Sequence, residues 1–114
     1  MPPRSWRLRI EDILESIEKI ERYSFGLSFE EFRADDKTFD AVARNFGIIG
    51  EAARHVPAEI ADRHPDIPWS RMCGMRNIVV HEYFGADAEI MWETLRTEFP
   101  IVVPLLRRML DEER

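Results

Sequence analysis

The segment Met75-Arg-Asn-Ile-Val-Val-His-Glu-Tyr-Phe84 gathers the side chains of this sequence best suited to chemistry. Arg76, Asn77, His81, Glu82 and Tyr83 surround three apolar residues there. An arginine and a histidine together can cleave a phosphodiester. Histidine titrates near pH ~6.5, so at neutral pH it can take or give a proton. Arginine stays charged and can hold the equatorial oxygens of a phosphate as charge redistributes. On RNA the 2′-hydroxyl can be the nucleophile, so the reaction needs no metal, and the sequence offers no obvious metal cage. A plainer reading is also open: Arg76 and Glu82 as surface charges, His81 and Tyr83 as partly buried residues at a helix end.

Other candidates are weighed the same way. Glu51 and His55 stand at i, i+4 on one helix face, a spacing that suits a metal or, more simply, a helix salt pair. His64 precedes Pro65 in a loop and reads as solvated. Cys73 lies eight residues before His81, about 80° off its face on a helix, so a buried free thiol fits better than a nucleophile. Trp6, Trp69 and Trp92 could stack on bases, but anchoring of helix starts and core packing are the simpler uses. A four-helix metal–carboxylate protein would need Glu-x-x-His pairs. The residues three before the histidines are Ala52, Ala61 and Ile78, so that architecture is set aside.

The elements that must position these residues are helical nearly throughout. Ile10, Ile13, Leu14, Ile17 and Ile20 alternate with charged residues at 3- and 4-residue spacing, which predicts an amphipathic helix from Trp6 to Tyr23 stopped at Gly26. Ser28-Phe-Glu-Glu31 reads as a capping box opening a short turn of helix. Asp35 or Asp36 caps the next helix, which runs to about His55 with Phe39, Val42, Ala43, Phe46, Ile49 and Ala53 as its apolar face. Within it Ala43, Gly47 and Gly50 form a small-residue stripe. Each interior glycine costs about 1 kcal/mol against alanine, and close approach of another helix is the simplest compensation.

The stretch from Pro57 to Arg63 predicts a short helix. Pro68 suits the first turn of another, spanning about Trp69 to Phe84. Gly85 ends it, and Asp87 caps the next, whose apolar face continues through Ile90, Met91, Leu95 and Phe99. Pro100 and Pro104 predict a kink or break before a last short helix holding Leu105, Leu106, Met109 and Leu110. The acidic face at Glu11–Glu21 and the tail Asp111-Glu-Glu-Arg114 read as solvated. No strand pattern survives, so the expected fold is an all-α bundle of about five helices joined by short loops.

Helix phase constrains the chemistry. At about 100° per residue, Arg76 and Tyr83 are about 20° apart, but His81 lies about 140° from Arg76. An intact single helix would not aim both at one phosphate. Either the helix distorts before His81 or a second chain completes the site. A symmetric dimer, which brings two Arg–His sets into one cleft, is the favoured solution.

The chain has 114 residues, 45% hydrophobic and 33% charged. That is one globular domain, 1–114 with a core over about 6–110, able to bury roughly 65% of its unfolded surface. Sixteen basic against 22 acidic residues give a net charge of −6. This excludes a basic coat that binds nucleic acid by neutralising many phosphates, but not a local basic cleft. Fourteen of the basic residues are Arg, the exceptions being Lys19 and Lys37. The single cysteine excludes a disulfide framework and a multi-cysteine zinc site, and makes the cytoplasm the expected compartment. The start lacks the apolar core of a signal peptide, and no apolar run approaches the roughly 20 residues that span a bilayer.

Arg76-x4-His81-x-Tyr83, with Asn77 directly after the arginine, resembles the signature of the HepT-like family, the HEPN-domain ribonucleases of HEPN–MNT toxin–antitoxin pairs. Ile48-Ile-Gly-Glu-Ala-Ala53, Ile67-Pro-Trp69, Gly74-Met-Arg-Asn77 and His81-Glu-Tyr-Phe84 follow in the family's order, and the resemblance covers about residues 6–110. It implies a HEPN-type bundle with an up-and-down core and short extra helices, usually a homodimer. Arg76 and His81 match the family's catalytic pair, with Asn77 as the polar residue beside them and Glu51 as a site-supporting residue. The implied activity is metal-independent RNA cleavage without a cofactor, by the toxin of a type VII-like pair. The implied partner is an MNT-type nucleotidyltransferase antitoxin that transfers AMP to the motif tyrosine, here Tyr83. An adduct two residues from His81 would put bulk and negative charge where substrate RNA must sit. The alternative is a non-catalytic helical dimer, acting as a nucleotide-binding adaptor or only as the substrate of such a partner.

Overall fold

The computed structural model describes residues 5–80 and 86–113. Helix α1 (Trp6–Ser24) starts where the Ser5 hydroxyl accepts a hydrogen bond from the Leu8 N–H. It ends just before Gly26, whose φ of +78° is a left-handed conformation that glycine adopts without steric penalty. The predicted capping box is present: the Glu31 N–H donates to the Ser28 hydroxyl and the Ser28 N–H to the Glu31 carboxylate. It opens α2 (Phe29–Ala34). Asp35, of the two candidates, caps α3 (Asp36–Arg54) by accepting from the Thr38 N–H and hydroxyl. A short α4 (Ala58–Ala61) leads to α5 (Trp69–Val80). Then follow α6 (Ala86–Glu93), a π-helical turn (Thr94–Glu98) and α7 (Phe99–Glu112). Among the described residues there is no strand, so the all-α reading holds.

Helix α3 forms the two most extensive helix pairs, with α1 and with α5. The apolar stripes read from sequence make the core. Ile10, Ile13, Ile17 and Ile20 of α1 meet Val42, Phe46 and Ile49 of α3, with Phe99, Val102, Leu106 and Met109 of α7 closing it, all buried. Phe46 and Phe99 stack edge-tilted at 5.6 Å between centroids. Trp92 is half-buried and packs on Phe32 and Phe29 at 5.3 and 6.2 Å, the packing use expected of it. No helix among the described residues is long and apolar enough to cross a membrane.

Four expectations are corrected. First, Asp87 falls within α6 (Ala86–Glu93) and not at the position ahead of it. Second, Ile90 is 47% exposed while Met91, Leu95 and Phe99 are buried, because the buried face runs through Ala88, Met91 and Leu95 and Ile90 lies about 100° off Met91. Third, the prolines do not break the chain's helical course. Pro100 cannot donate to the Arg96 carbonyl. The preceding turn widens instead, the Phe99 N–H donating to the Thr94 carbonyl five residues back. The hydroxyls of Thr94 and Thr97 take up the carbonyls of Ile90 and Glu93. Pro104 is then accommodated inside α7.

Fourth, His64 and Glu113 are drawn in from solvent, while Asp111 and Glu112 of the tail are exposed as expected. The His64 side chain is 9% exposed and its Nε2 lies 2.8 Å from the Glu113 carboxylate. The Arg63 guanidinium donates to both oxygens of the same carboxylate, at 2.9 and 2.6 Å. Arg7 donates to the carbonyls of Glu113 and Leu110 at 3.1 Å each. The end of α7 is thus tied to the start of α1 and to the chain leading into α5. Distances of this kind, about 50 and 106 residues apart in sequence, cannot be read from local spacing.

The hydrogen bonds from Arg63 and His64 hold the Glu113 carboxyl below its ordinary value of 4.5. A depressed folded pKa gives stability that is complete above the unfolded value and is lost as pH falls through the folded one. Glu113→Gln is therefore expected to unfold at lower urea than the wild type at neutral pH, with the gap closing progressively below pH 4.5. Equal midpoints at neutral pH would show that the tie contributes nothing.

Candidate functional site

Helix α5 carries the first half of the motif, and its start is anchored firmly. The Trp69 indole N–H donates to the carbonyls of Ala61 and His64 at 3.2 and 3.1 Å, so this tryptophan is the helix-start anchor expected of it. Met72 and Met75 are buried against the core. Arg76 and Asn77, on the next positions, are exposed. The core side of α5 therefore fixes which way its polar side faces.

The contact between α3 and α5 is made at backbone distance. A Cβ added to Gly50 would lie 2.6 Å from the Arg76 nitrogen, 2.8 Å from the Arg76 Cβ and 3.1 Å from the Cys73 carbonyl oxygen. Real Cβ atoms do not approach that closely, so only glycine permits this helix pair. The small-residue stripe divides here. Gly50 meets the close approach expected of it, whereas at Gly47 an added Cβ would meet nothing within 4 Å among the described residues.

The residue after Gly50 completes the arrangement. One oxygen of the Glu51 carboxylate lies 3.5 Å from the Arg76 guanidinium, and the other accepts from Arg54 at 3.1 Å. His55 Nδ1 sits 2.8 Å from the Glu51 backbone carbonyl and 3.6 Å from its carboxylate. A carbonyl oxygen can only accept, so Nδ1 carries the proton. The Arg54 hydrogen bond, followed by the charges of Arg54, Arg76 and His55, holds the Glu51 carboxyl below the usual range against some desolvation. The Glu51–His55 spacing thus brings the ring within ion-pair distance of the carboxylate, the helix pairing expected of it. Among the described residues no group of three or more His, Cys, Asp or Glu side chains is placed to hold a metal ion.

The structure therefore brings Arg76 and Glu51 together and leaves Asn77 exposed beside them. His81 and Tyr83 lie outside the described residues, as does the expected helix end at Phe84 and Gly85. Cys73 is a free thiol as expected, though half-buried and not fully buried, and burial pushes its pKa up, which keeps it protonated. Sequence reasoning missed Arg54. The signal was available in Glu51-x-x-Arg54-His55, where i, i+3 and i, i+4 spacings point two cations at one carboxylate.

A family model described as Ribonuclease HepT-like matches residues 13–109. The chain belongs to the HepT-like ribonuclease family. A HepT-like relative from Thermococcus cleftensis, named "Probable ribonuclease HepT", is 42% identical over 97 residues, covering 85% of this chain and 88% of its own length. A protein of Caldanaerobacter subterraneus subsp. tengcongensis, named as a candidate RNase, is 36% identical over 92% of this chain and 94% of itself. One from Methanocaldococcus jannaschii, named in the same way, is 36% identical over 98% of this chain and 93% of itself. The HepT-like match runs through α1 to α7, so it takes in both helices that hold the Arg76–Glu51 pair. No solved structure matches this chain.

Proposed function

We propose that this HepT-like chain is a metal-independent RNA endonuclease, the toxin of a type VII-like HEPN–MNT pair, acting as a homodimer. The observation that carries the reading is the setting of Arg76. It is half exposed at 51%, on a rigidly packed helix, beside Asn77 and five residues ahead of His81 in the family's motif. A phosphate can reach its guanidinium without any rearrangement of the core.

In the reaction, one His81 takes the proton of the RNA 2′-hydroxyl, and the freed oxygen attacks the adjacent phosphorus. The bond from phosphorus to the 5′-oxygen breaks, and that oxygen receives a proton. The products are a 2′,3′-cyclic phosphate and a 5′-hydroxyl. Arg76 holds the non-bridging oxygens as negative charge builds on them. One imidazole cannot be base and acid in the same instant, so the His81 of a second copy supplies the proton, which is the chemical reason for a dimer. The antitoxin partner silences the site by transferring AMP from ATP to the Tyr83 oxygen, with pyrophosphate leaving.

The test is cleavage of RNA by the purified chain in EDTA, with the ends identified by mass spectrometry. Fragments bearing cyclic phosphate, absent with His81→Ala, are the expected result. Equal cleavage by both proteins, or by neither, overturns the reading. AMP added to Tyr83 by the partner, with no cleavage by the unmodified chain, would establish the adaptor function instead.

A further inference from the structure

The site holds more positive charge than its motif accounts for. Elsewhere on the helices single pairs occur, as of Glu15 with Lys19, Glu18 with Arg22 and Glu30 with Arg33. Glu51 gathers more, its one carboxylate meeting Arg54, Arg76 and the His55 ring, much as Arg63 and His64 gather at that of Glu113. Glu51 thus faces two fixed positive charges with its one negative, in a chain whose net charge is −6. Each guanidinium has five N–H donors and a planar fork that suits phosphate oxygens. Glu51 is approached by one nitrogen of each, and both side chains are more than half exposed, Arg54 at 58% and Arg76 at 51%. Their remaining donors are open to an anion from outside. The two arginines come from different helices, and the backbone contact at Gly50 sets the spacing between those helices.

We infer that Arg54 is a second phosphate-binding residue of this site, gripping an RNA phosphate neighbouring the one Arg76 holds, and that Glu51 is the positioning residue between the two guanidiniums. This rests on the ribonuclease reading above. Two arginines aimed at successive phosphates repel each other when no RNA is bound. A carboxylate between them relieves that repulsion and keeps both forks in place. An acidic chain can then hold RNA at one spot without a basic surface.

The experiment uses the full chain carrying His81→Ala, so that RNA is bound but not cut. Binding of a labelled single-stranded RNA is followed by fluorescence anisotropy over a range of salt. Adding Arg54→Gln is expected to weaken binding about three- to fivefold and to flatten the log–log salt dependence by about 0.7, the share of one single-strand phosphate contact. Arg107→Gln removes the same charge from an exposed position on α7 and is expected to leave that slope unchanged. In chain with His81 intact, Glu51→Gln is expected to lower kcat about fivefold without raising KM, because loosening Arg76 affects the transition state more than binding. RNA bound with an unchanged slope in Arg54→Gln overturns the inference while the ribonuclease reading stands. An unchanged kcat in Glu51→Gln overturns the positioning role. Failure of the His81→Ala protein to bind RNA at all overturns both readings together.

Discussion

Arg76→Ala is expected to slow RNA cleavage about 10²- to 10³-fold while the protein stays folded. The two halves of this expectation have different physical sources. The fold half follows from exposure: the guanidinium makes a single 3.5 Å ion pair with Glu51 at the surface, and such pairs contribute only ~0.2–1 kcal/mol. The rate half follows from position. A fixed positive charge where phosphate oxygens gain charge stabilises the transition state more than the bound substrate, so kcat should fall with KM little changed. Arg76→Lys separates charge from shape. Lysine keeps the charge but loses the planar fork, so its rate should lie between alanine and wild type. His81→Ala, which removes the proton-transfer group, is expected to cost about 10²- to 10⁴-fold. Single-turnover cleavage rates, set beside urea midpoints for each variant, check all of these. Wild-type rates in Arg76→Ala would remove Arg76 from the chemistry.

Gly50→Val is expected to destabilise the fold by about 2–3 kcal/mol, the upper part of the overpacking range. The side chain would start 2.6 Å from the Arg76 backbone nitrogen and 3.1 Å from the Cys73 carbonyl. Both are main-chain atoms of α5, so no side-chain rotation relieves the contact and the helices must separate. Separation would also carry Arg76 away from Glu51, so cleavage should fall in the fraction that remains folded. Gly47→Ala is the matched control on the same helix. It meets nothing within 4 Å among the described residues, and alanine is the better helix former by about 1 kcal/mol. It should raise the urea midpoint. A lowered midpoint in Gly47→Ala, or an unchanged one in Gly50→Val, would refute the backbone-contact account.

Much of this protein was legible from local chemistry. The isoleucines of α1 announced its buried face because a helix repeats every 3.6 residues. Ser28 with Glu31, and Asp35, announced helix starts because capping depends on side chains three residues apart. The motif at Arg76 and the family it belongs to were also carried by residue order alone. The prolines at 100 and 104 were read as a kink or break, and of the two the break does not occur. Whether a lost donor breaks a helix depends on how the neighbouring turn adjusts, and here the turn before Pro100 widens so that the Phe99 N–H reaches the Thr94 carbonyl.

What the tertiary structure decided is which distant residues share a place. His64 and the tail look solvated in sequence, yet Arg63 and His64 close on Glu113 some 50 residues away. Glu51 and Arg76 are 25 positions apart, and nothing in their spacing says that one carboxylate lies between Arg54 and Arg76. Sequence periodicity determines which face of each helix is buried, because burial is a property of one helix at a time. The partner across that face, and the charge it brings, is set by how helices pack. For the small acidic domain read from composition, that packing is what brings Arg76 to the carboxylate that also holds Arg54, through one glycine that lets α3 and α5 touch.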